Sequence, residues 1–186
     1  KKEMIRDFLG DGSAFGINVS YVFQDRLDGN GGALYRCQDR VNEDVLFTDC
    51  DNFVDDDKVF LKLRDLFEKS RADAVVGVKR VDDITRFAIF KLDKKGKITD
   101  IYEKPANEKE WGNMAKTGFA IISKNIIKMD RKICLTDKME YSTTQLFKHM
   151  IQNNMKVVPS LVEADFEDIG TWESYMHVLD KSKKKN

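Results

Sequence analysis

Short apolar runs alternate with helical periodicity through the first half of this chain, and that alternation restricts the fold more than any other feature. VLFTD (Val45 to Asp49) is a nearly continuous apolar run, the pattern of a buried strand in a parallel sheet. In DDDKVFLKLRDLFEKS, which follows, Val59, Phe60, Leu63, Leu66 and Phe67 recur at spacings of three and four, which predicts an amphipathic helix. Asp55, Asp56 and Asp57 stand at its start, where carboxylates favour the positive end of the helix dipole. ADAVVGVKR (Ala72 to Arg80) is the next strand. Strand, helix, strand in this order predicts a parallel sheet with helices on its faces. Upstream, INVSYVF (Ile17 to Phe23) reads as a strand and GGALYRCQDRV (Gly31 to Val41) as a helix.

The second half changes pattern. RFAIFKL, the turn DKKGK with Gly96, and KITDIYEK form a β-hairpin signal. TGFAIIS (Thr117 to Ser123) is a further strand, and STTQLFKHMIQNN a helix with Ser142 at its N-cap. KVVPSLV carries Pro159 and belongs near a sheet edge. TWESYMHVLDK (Thr171 to Lys181) is the last helix. The expectation is one α/β domain over residues 1–186, with a Rossmann-like mixed, mainly parallel sheet flanked by helices, and a solvated basic tail over residues 181–186. In an open sheet of this type, ligands sit beyond the carboxyl ends of the strands.

Charge and cysteine usage narrow the function. The 32 basic residues balance the 32 acidic ones, so neither nucleic acid nor an anionic membrane is an expected partner. Cys37, Cys50 and Cys134 are odd in number and widely spaced without a CxxC, which argues for a reducing, cytoplasmic setting and against a disulfide framework or a zinc site. No apolar run approaches the ~20 residues of a membrane span.

Four stretches hold candidate chemistry. TDCDN (Thr48 to Asn52) stands where the VLF strand ends; Asp49 and Asp51 suit Mg²⁺, a hard cation that takes carboxylate and phosphate oxygens, and the competing reading is a polar turn capped by aspartate. Asp168, in DFEDIGTWESY, is either a second metal ligand or a corner residue before a helix. In YEKP, Glu103 can accept hydrogen bonds from a hydroxyl-rich ligand and Lys104 can meet a phosphate, or both are solvated. In QDRLDGNGGAL, the Gln24 amide can read a base edge, and Gly29, Gly31 and Gly32 permit close backbone approach, although the pattern is neither G-x-G-x-x-G nor a Walker A loop. His149 and His177 lie in helical patterns without a nucleophile beside them and read as structural or surface residues.

FLGDGSAFGINVSYVFQ, GNGGAL, VLFTDCDN, RFAIFKLDKKGKITDIYEKP, KTGFAIIS and FEDIGTWESY, in this order, resemble the sugar-1-phosphate nucleotidyltransferases, the glucose-1-phosphate thymidylyl- and uridylyltransferases among them. The likeness runs from about Phe8 to His177. It implies the nucleotide-diphospho-sugar transferase fold and a Mg²⁺-dependent reaction of a nucleoside triphosphate with a sugar 1-phosphate that releases pyrophosphate. By resemblance, Gln24 reads the base and Gly29 packs against it, with UTP or dTTP favoured because Gln24 fits an imide edge. Asp51 and Asp168 hold the metal, and Asp49 is an alternative ligand because Cys50 replaces the glycine of the family's Gly-Asp-Asn. Glu103 holds sugar hydroxyls, Lys104 meets the sugar phosphate, and Thr117 and Gly118 line the sugar pocket. Ala88 stands where the family carries a glycine against the sugar. Asp51, Asp168 and Lys104 would be the catalytic residues.

The family also opens with a strand and a glycine-rich loop of the type LAAGxGTRL that cradles the triphosphate, and these 186 residues contain no match to it. The expectation is therefore a fragment, a split gene product or a chain completed by an N-terminal segment or by self-association, with poor catalysis by this chain alone. No hexapeptide repeats follow the DIGTW helix, so no fused acyltransferase-like domain is expected. Two further readings remain: a non-catalytic regulatory or sugar-nucleotide-binding relative, and a transferase for a non-sugar phosphate such as phosphocholine.

Overall fold

The computed structural model describes residues 2–56 and 58–183. Asp57 and the last three residues of the KSKKKN run lie outside that range; Lys181 to Lys183, expected as tail, belong to the final helix. The chain opens with α1 (Lys2–Leu9), which buries no side chain, and α2 (Asn30–Arg36). Next come β1 (Val45–Thr48), β2 (Asn52–Val54), α3 (Lys58–Ser70) and β3 (Ala74–Arg80). The hairpin is β4 (Ala88–Leu92) and β5 (Ile98–Glu103), turning through Gly96 at φ 77°. A short α4 (Glu108–Trp111) leads to β6 (Met114–Ile122), and α5 (Lys124–Ile127) follows. The chain ends with α6 (Thr143–Gln152), β7 (Val157–Leu161), β8 (Phe166–Asp168) and α7 (Trp172–Lys183).

Six strands form one sheet in the order β5-β4-β6-β3-β7, with β1 also paired to β6. The sheet is mixed. β6 runs antiparallel to β1, β3 and β4, while β3 and β7 are parallel, so β1, β3, β4 and β7 share one direction against β5 and β6. Pro159 sits opposite Val76 on the edge strand β7, where its missing N–H costs no ladder bond on the open side.

Alternation along the central strands makes two cores. Ala74, Val76 and Val78 of β3 face α6 and pack with Leu146, Phe147 and Met150, and the Phe90 and Phe147 rings meet edge-on at 5.9 Å. Val75, Phe119 and Ile121 face the other way, onto Val59 and Leu63 of α3. Ser142 caps α6 as the sequence predicts, its hydroxyl accepting from the Thr144 N–H at 3.1 Å.

Two expectations fail. Residues 17–23 form no strand: Ile17 and Val19 donate only to the loop carbonyls of Gly12 and Asp11, and no neighbouring strand supplies a ladder. β1 has the composition of a buried parallel strand, but its only described strand partner is antiparallel β6, and Leu46 is 49% exposed.

Candidate active site

A two-stranded ladder assembles the acidic end of the site. β2 and β8 pair antiparallel, and Asn52 stands opposite Asp168. The carbonyl of Asp51 also accepts the Ile169 N–H at 2.7 Å, which fixes the two acidic segments side by side. The TDCDN loop is tied to β6 twice. The Asp49 N–H donates to the Gly118 carbonyl at 2.7 Å, and the Gly118 N–H donates to Asn52 Oδ1 at 3.0 Å. Asn52 Nδ2 in turn donates to Asp51 Oδ1 at 2.9 Å. Gly118 leaves room for this amide, because a Cβ would lie 2.5 Å from Asn52 Oδ1 and displace it.

The hairpin supplies the opposite wall. Ala88 and Glu103 are cross-strand partners, and Thr144 of α6 donates its hydroxyl to Glu103 Oε2 at 3.1 Å. Lys104 follows in a left-handed conformation at φ 51°, strained for a residue with a side chain, with its N–H on the Phe87 carbonyl at 2.9 Å. Between the walls lies a cleft of about 1030 Å³, lined by Asp49, Asp51, Asp168, Ala88, Glu103, Lys104, Gly118 and the first turns of α6, among other residues. The size suits a small-molecule ligand.

Three of the sequence candidates lie elsewhere. Thr117 does not line the cleft. Strand alternation sends its side chain to the α3 face while Lys116 and Gly118 face the cleft, and its hydroxyl, 2% exposed, donates to the Gly77 carbonyl at 2.8 Å. The Gln24 amide donates to Asp28 Oδ1 at 2.6 Å and to the Gly29 carbonyl at 3.0 Å. Gly29, at φ 93°, is pressed against the Tyr141 carbonyl, which a Cβ would approach to 2.2 Å. Gln24 and Gly29 do not line the cleft, but Asn30, the next residue, does. His149 bonds only within its own helix, and His177 sits 3.6 Å from Glu167, so neither enters the site.

Sequence reasoning missed Lys116, Asn52 and Thr144. Lys116 had a visible signal, the one charged residue of a largely apolar strand. Burial pushes its ammonium pKa down, against the carboxylates of Asp49 and Glu103, which raise it. Asn30 links two elements: its Nδ2 reaches Asp49 Oδ1 at 3.5 Å, and its Oδ1 accepts from the Thr143 N–H at 3.1 Å.

Burial raises the pKa of Asp49, Lys116 and Asn30 oppose the shift, and the carboxylates of Asp51 and Asp168 add to it. Those two acids are therefore close enough to Asp49 to repel its charge, and a divalent cation would relieve that repulsion. Among the described residues, no group of three or more His, Cys, Asp or Glu side chains is placed to hold a metal ion. An open set of one or two carboxylates fits Mg²⁺, which keeps waters and takes substrate phosphate oxygens.

Comparison with known proteins places this arrangement. The chain is 27% identical over 186 residues to the bifunctional protein GlmU of Methanocaldococcus jannaschii, covering 97% of this chain and 42% of that protein. It is 25% identical to the low-salt glycan biosynthesis nucleotidyltransferase Agl11 of Haloferax volcanii, covering 99% of this chain and 52% of the relative. It is 26% identical to a glucose-1-phosphate thymidylyltransferase of Streptomyces antibioticus, covering 91% and 47%. The chain thus spans about half the length of these curated relatives. A Bacillus anthracis crystal structure, assigned as a glucose-1-phosphate thymidylyltransferase and holding sucrose, superposes with a TM-score of 0.85 at 24% identity, over 99% of this chain and 73% of that one. A UDP-glucose pyrophosphorylase bound to UDP-glucose superposes at 0.78 and 20% identity, over 90% and 66%. These two show the fold. The family profile described as nucleotidyl transferase matches residues 1–185, and the chain belongs to that family.

Proposed function

We propose that this chain carries the metal and sugar-phosphate side of a sugar-1-phosphate nucleotidyltransferase, which joins a nucleoside triphosphate to a sugar 1-phosphate and releases pyrophosphate. One observation carries the reading. A ladder pairing Asn52 with Asp168 sets Asp51 and Asp168 at one end of a cleft whose other end holds Glu103 and Lys104. Acids at one end and a hydroxyl acceptor beside a cation at the other suit a molecule with a sugar at one end and a phosphate at the other.

In this reading a non-bridging oxygen of the sugar phosphate attacks the α-phosphorus of the triphosphate. The new P–O bond forms as the bond to the β-phosphate breaks, and pyrophosphate leaves with that electron pair. The chain positions the reactants and neutralises charge. Glu103, held by Thr144, accepts from sugar hydroxyls, and Lys104 meets the sugar phosphate. Asp51 and Asp168, with Asp49 as the alternative to Asp51, would hold Mg²⁺. Bound there, the cation would neutralise phosphate charge. Asn52 holds the Asp51 carboxylate and is itself held by Gly118. Gln24, upstream of α2, and Gly29, its N-cap, lie outside this cleft; the base they are proposed to face, with UTP or dTTP as the triphosphate, would therefore extend beyond it. A methyl group at Ala88, cross-strand from Glu103, narrows the sugar end.

The test is pyrophosphate release by the full chain with each triphosphate and glucose 1-phosphate, with and without Mg²⁺, beside Asp168→Asn. Mg²⁺-dependent release that Asp168→Asn reduces by at least a hundredfold supports the proposal. Release unchanged by Asp168→Asn removes that residue from the mechanism. Mg²⁺-dependent sugar-nucleotide binding without turnover supports the non-catalytic reading instead.

A further inference from the structure

The cleft contains a cation that the family resemblance leaves without a role. Lys116 and Gly118 occupy the same face of β6, and both line the cleft. Lys116 is only partly accessible to solvent, yet it makes no ion pair with a described residue. Its one hydrogen bond runs from Nζ to the carbonyl of Thr117 at 3.3 Å, which leaves two of the three ammonium protons without a protein acceptor. An ammonium drawn this far from water favours a direct anionic contact, and no described carboxylate lies within ion-pair distance of it. Asp49 and Glu103 are the charges that act on it, from the acidic end and from the hairpin end of the cleft. On β6, Ala115 pairs with Ile89 of the hairpin and Gly118 holds Asp49 and Asn52, so Lys116 stands between the carboxylate assigned to the sugar and the acids assigned to the metal. In a sugar 1-phosphate that lies across the cleft, the phosphate is the group at that midpoint.

We propose that Lys116 is a phosphate-binding residue of the cleft, a second cation beside Lys104, that contacts the phosphate of the sugar 1-phosphate. The assignment rests on the nucleotidyltransferase reading for the sugar but not for the phosphate, since the unpaired ammonium calls for an anion whatever the rest of the ligand. Lys104 follows Glu103 at the rim, whereas Lys116 rises from the floor of the cleft, so the two approach the phosphate from different sides.

The test is calorimetric binding of inorganic phosphate, glucose 1-phosphate, glucose and UTP to the full chain, its Lys116→Met and Lys116→Arg variants, and Lys104→Met. Thermal melts establish that each variant is folded. Loss of one charge-assisted contact predicts that Lys116→Met weakens phosphate and glucose 1-phosphate about tenfold or more, with Lys116→Arg restoring part of the loss. Glucose, which lacks the anion, should be unaffected. A larger loss for UTP than for glucose 1-phosphate would move the contact to the triphosphate and overturn the assignment. So would a folded Lys116→Met protein that binds phosphate as the wild type does, a wild type that binds no phosphate, or a variant that loses glucose equally, the mark of a structural lysine. Phosphate binding that depends on Lys116, with no gain for glucose 1-phosphate over phosphate, would leave the cation in place and defeat the sugar-phosphate reading.

Discussion

Replacing Gly118 with alanine tests whether the acidic end of the cleft is held in place through Asn52. A Cβ at Gly118 would stand 2.5 Å from Asn52 Oδ1, 2.6 Å from Nδ2 and 2.7 Å from Cγ, so the whole amide group has to move. Moving it breaks the bond from the Gly118 N–H at 3.0 Å and the bond to Asp51 Oδ1 at 2.9 Å. The first of these, part-buried, contributes about 1 kcal/mol, and the second, being exposed, contributes less. Crowding at a packed backbone adds about 1 kcal/mol or more. The expected loss is about 2 kcal/mol, which lowers the melting temperature of a chain of this size by roughly 4–8 °C. A double-mutant cycle in calorimetric or urea unfolding identifies the cause. Asn52→Ala should remove most of the penalty, giving a coupling of about 1 kcal/mol or more between the two sites. Mg²⁺ affinity should fall in Gly118→Ala even where the protein is fully folded, because the Asp51 carboxylate loses its anchor. An additive cycle, or a folded Gly118→Ala protein with unchanged Mg²⁺ affinity, would refute this reasoning.

Two other perturbations separate stability from function. The pKa of Asp49 is raised in the folded state, so its protonated form stabilises the fold at low pH, and that contribution is lost as pH rises through the raised value. Asp49→Asn should therefore be more stable than the wild type in metal-free urea melts at neutral pH, with the difference shrinking on acidification; a variant that is less stable at pH 7 would contradict the assignment. Leu63 is fully buried against the face of the sheet opposite the cleft, and Leu63→Ala should cost about 2–5 kcal/mol in unfolding experiments while leaving phosphate affinity unchanged below the melting transition.

Elements with a long pattern were legible in the sequence. β3 opens on an apolar run, α3 repeats at three and four, the hairpin has its glycine turn, and α6 has its serine cap. The candidate acids were legible individually, because aspartates at the ends of strands stand out against apolar runs. The β2–β8 pairing that joins them was not. Each strand is three residues long, NFV and FED, too short for a period of two to register. Thr117 lies off the cleft for a different reason: a motif names adjacent residues, but a strand sends adjacent side chains to opposite faces. INVSYVF had the composition of a strand and no partner, since β-propensity describes fitness for a sheet and cannot supply a neighbour.

The β2–β8 ladder also sets an order of events during synthesis. Asp49 to Asn52 leave the ribosome more than a hundred residues before Asp168. The hairpin and its Glu103 can form from local contacts long before then, whereas the acidic end requires a loop closed across most of the chain. Contacts this distant in sequence form slowly and late. A nascent chain stopped before β8 would hold the Glu103 wall of the cleft without Asp168 opposite it, so the acid group assembles only after β8 has been made.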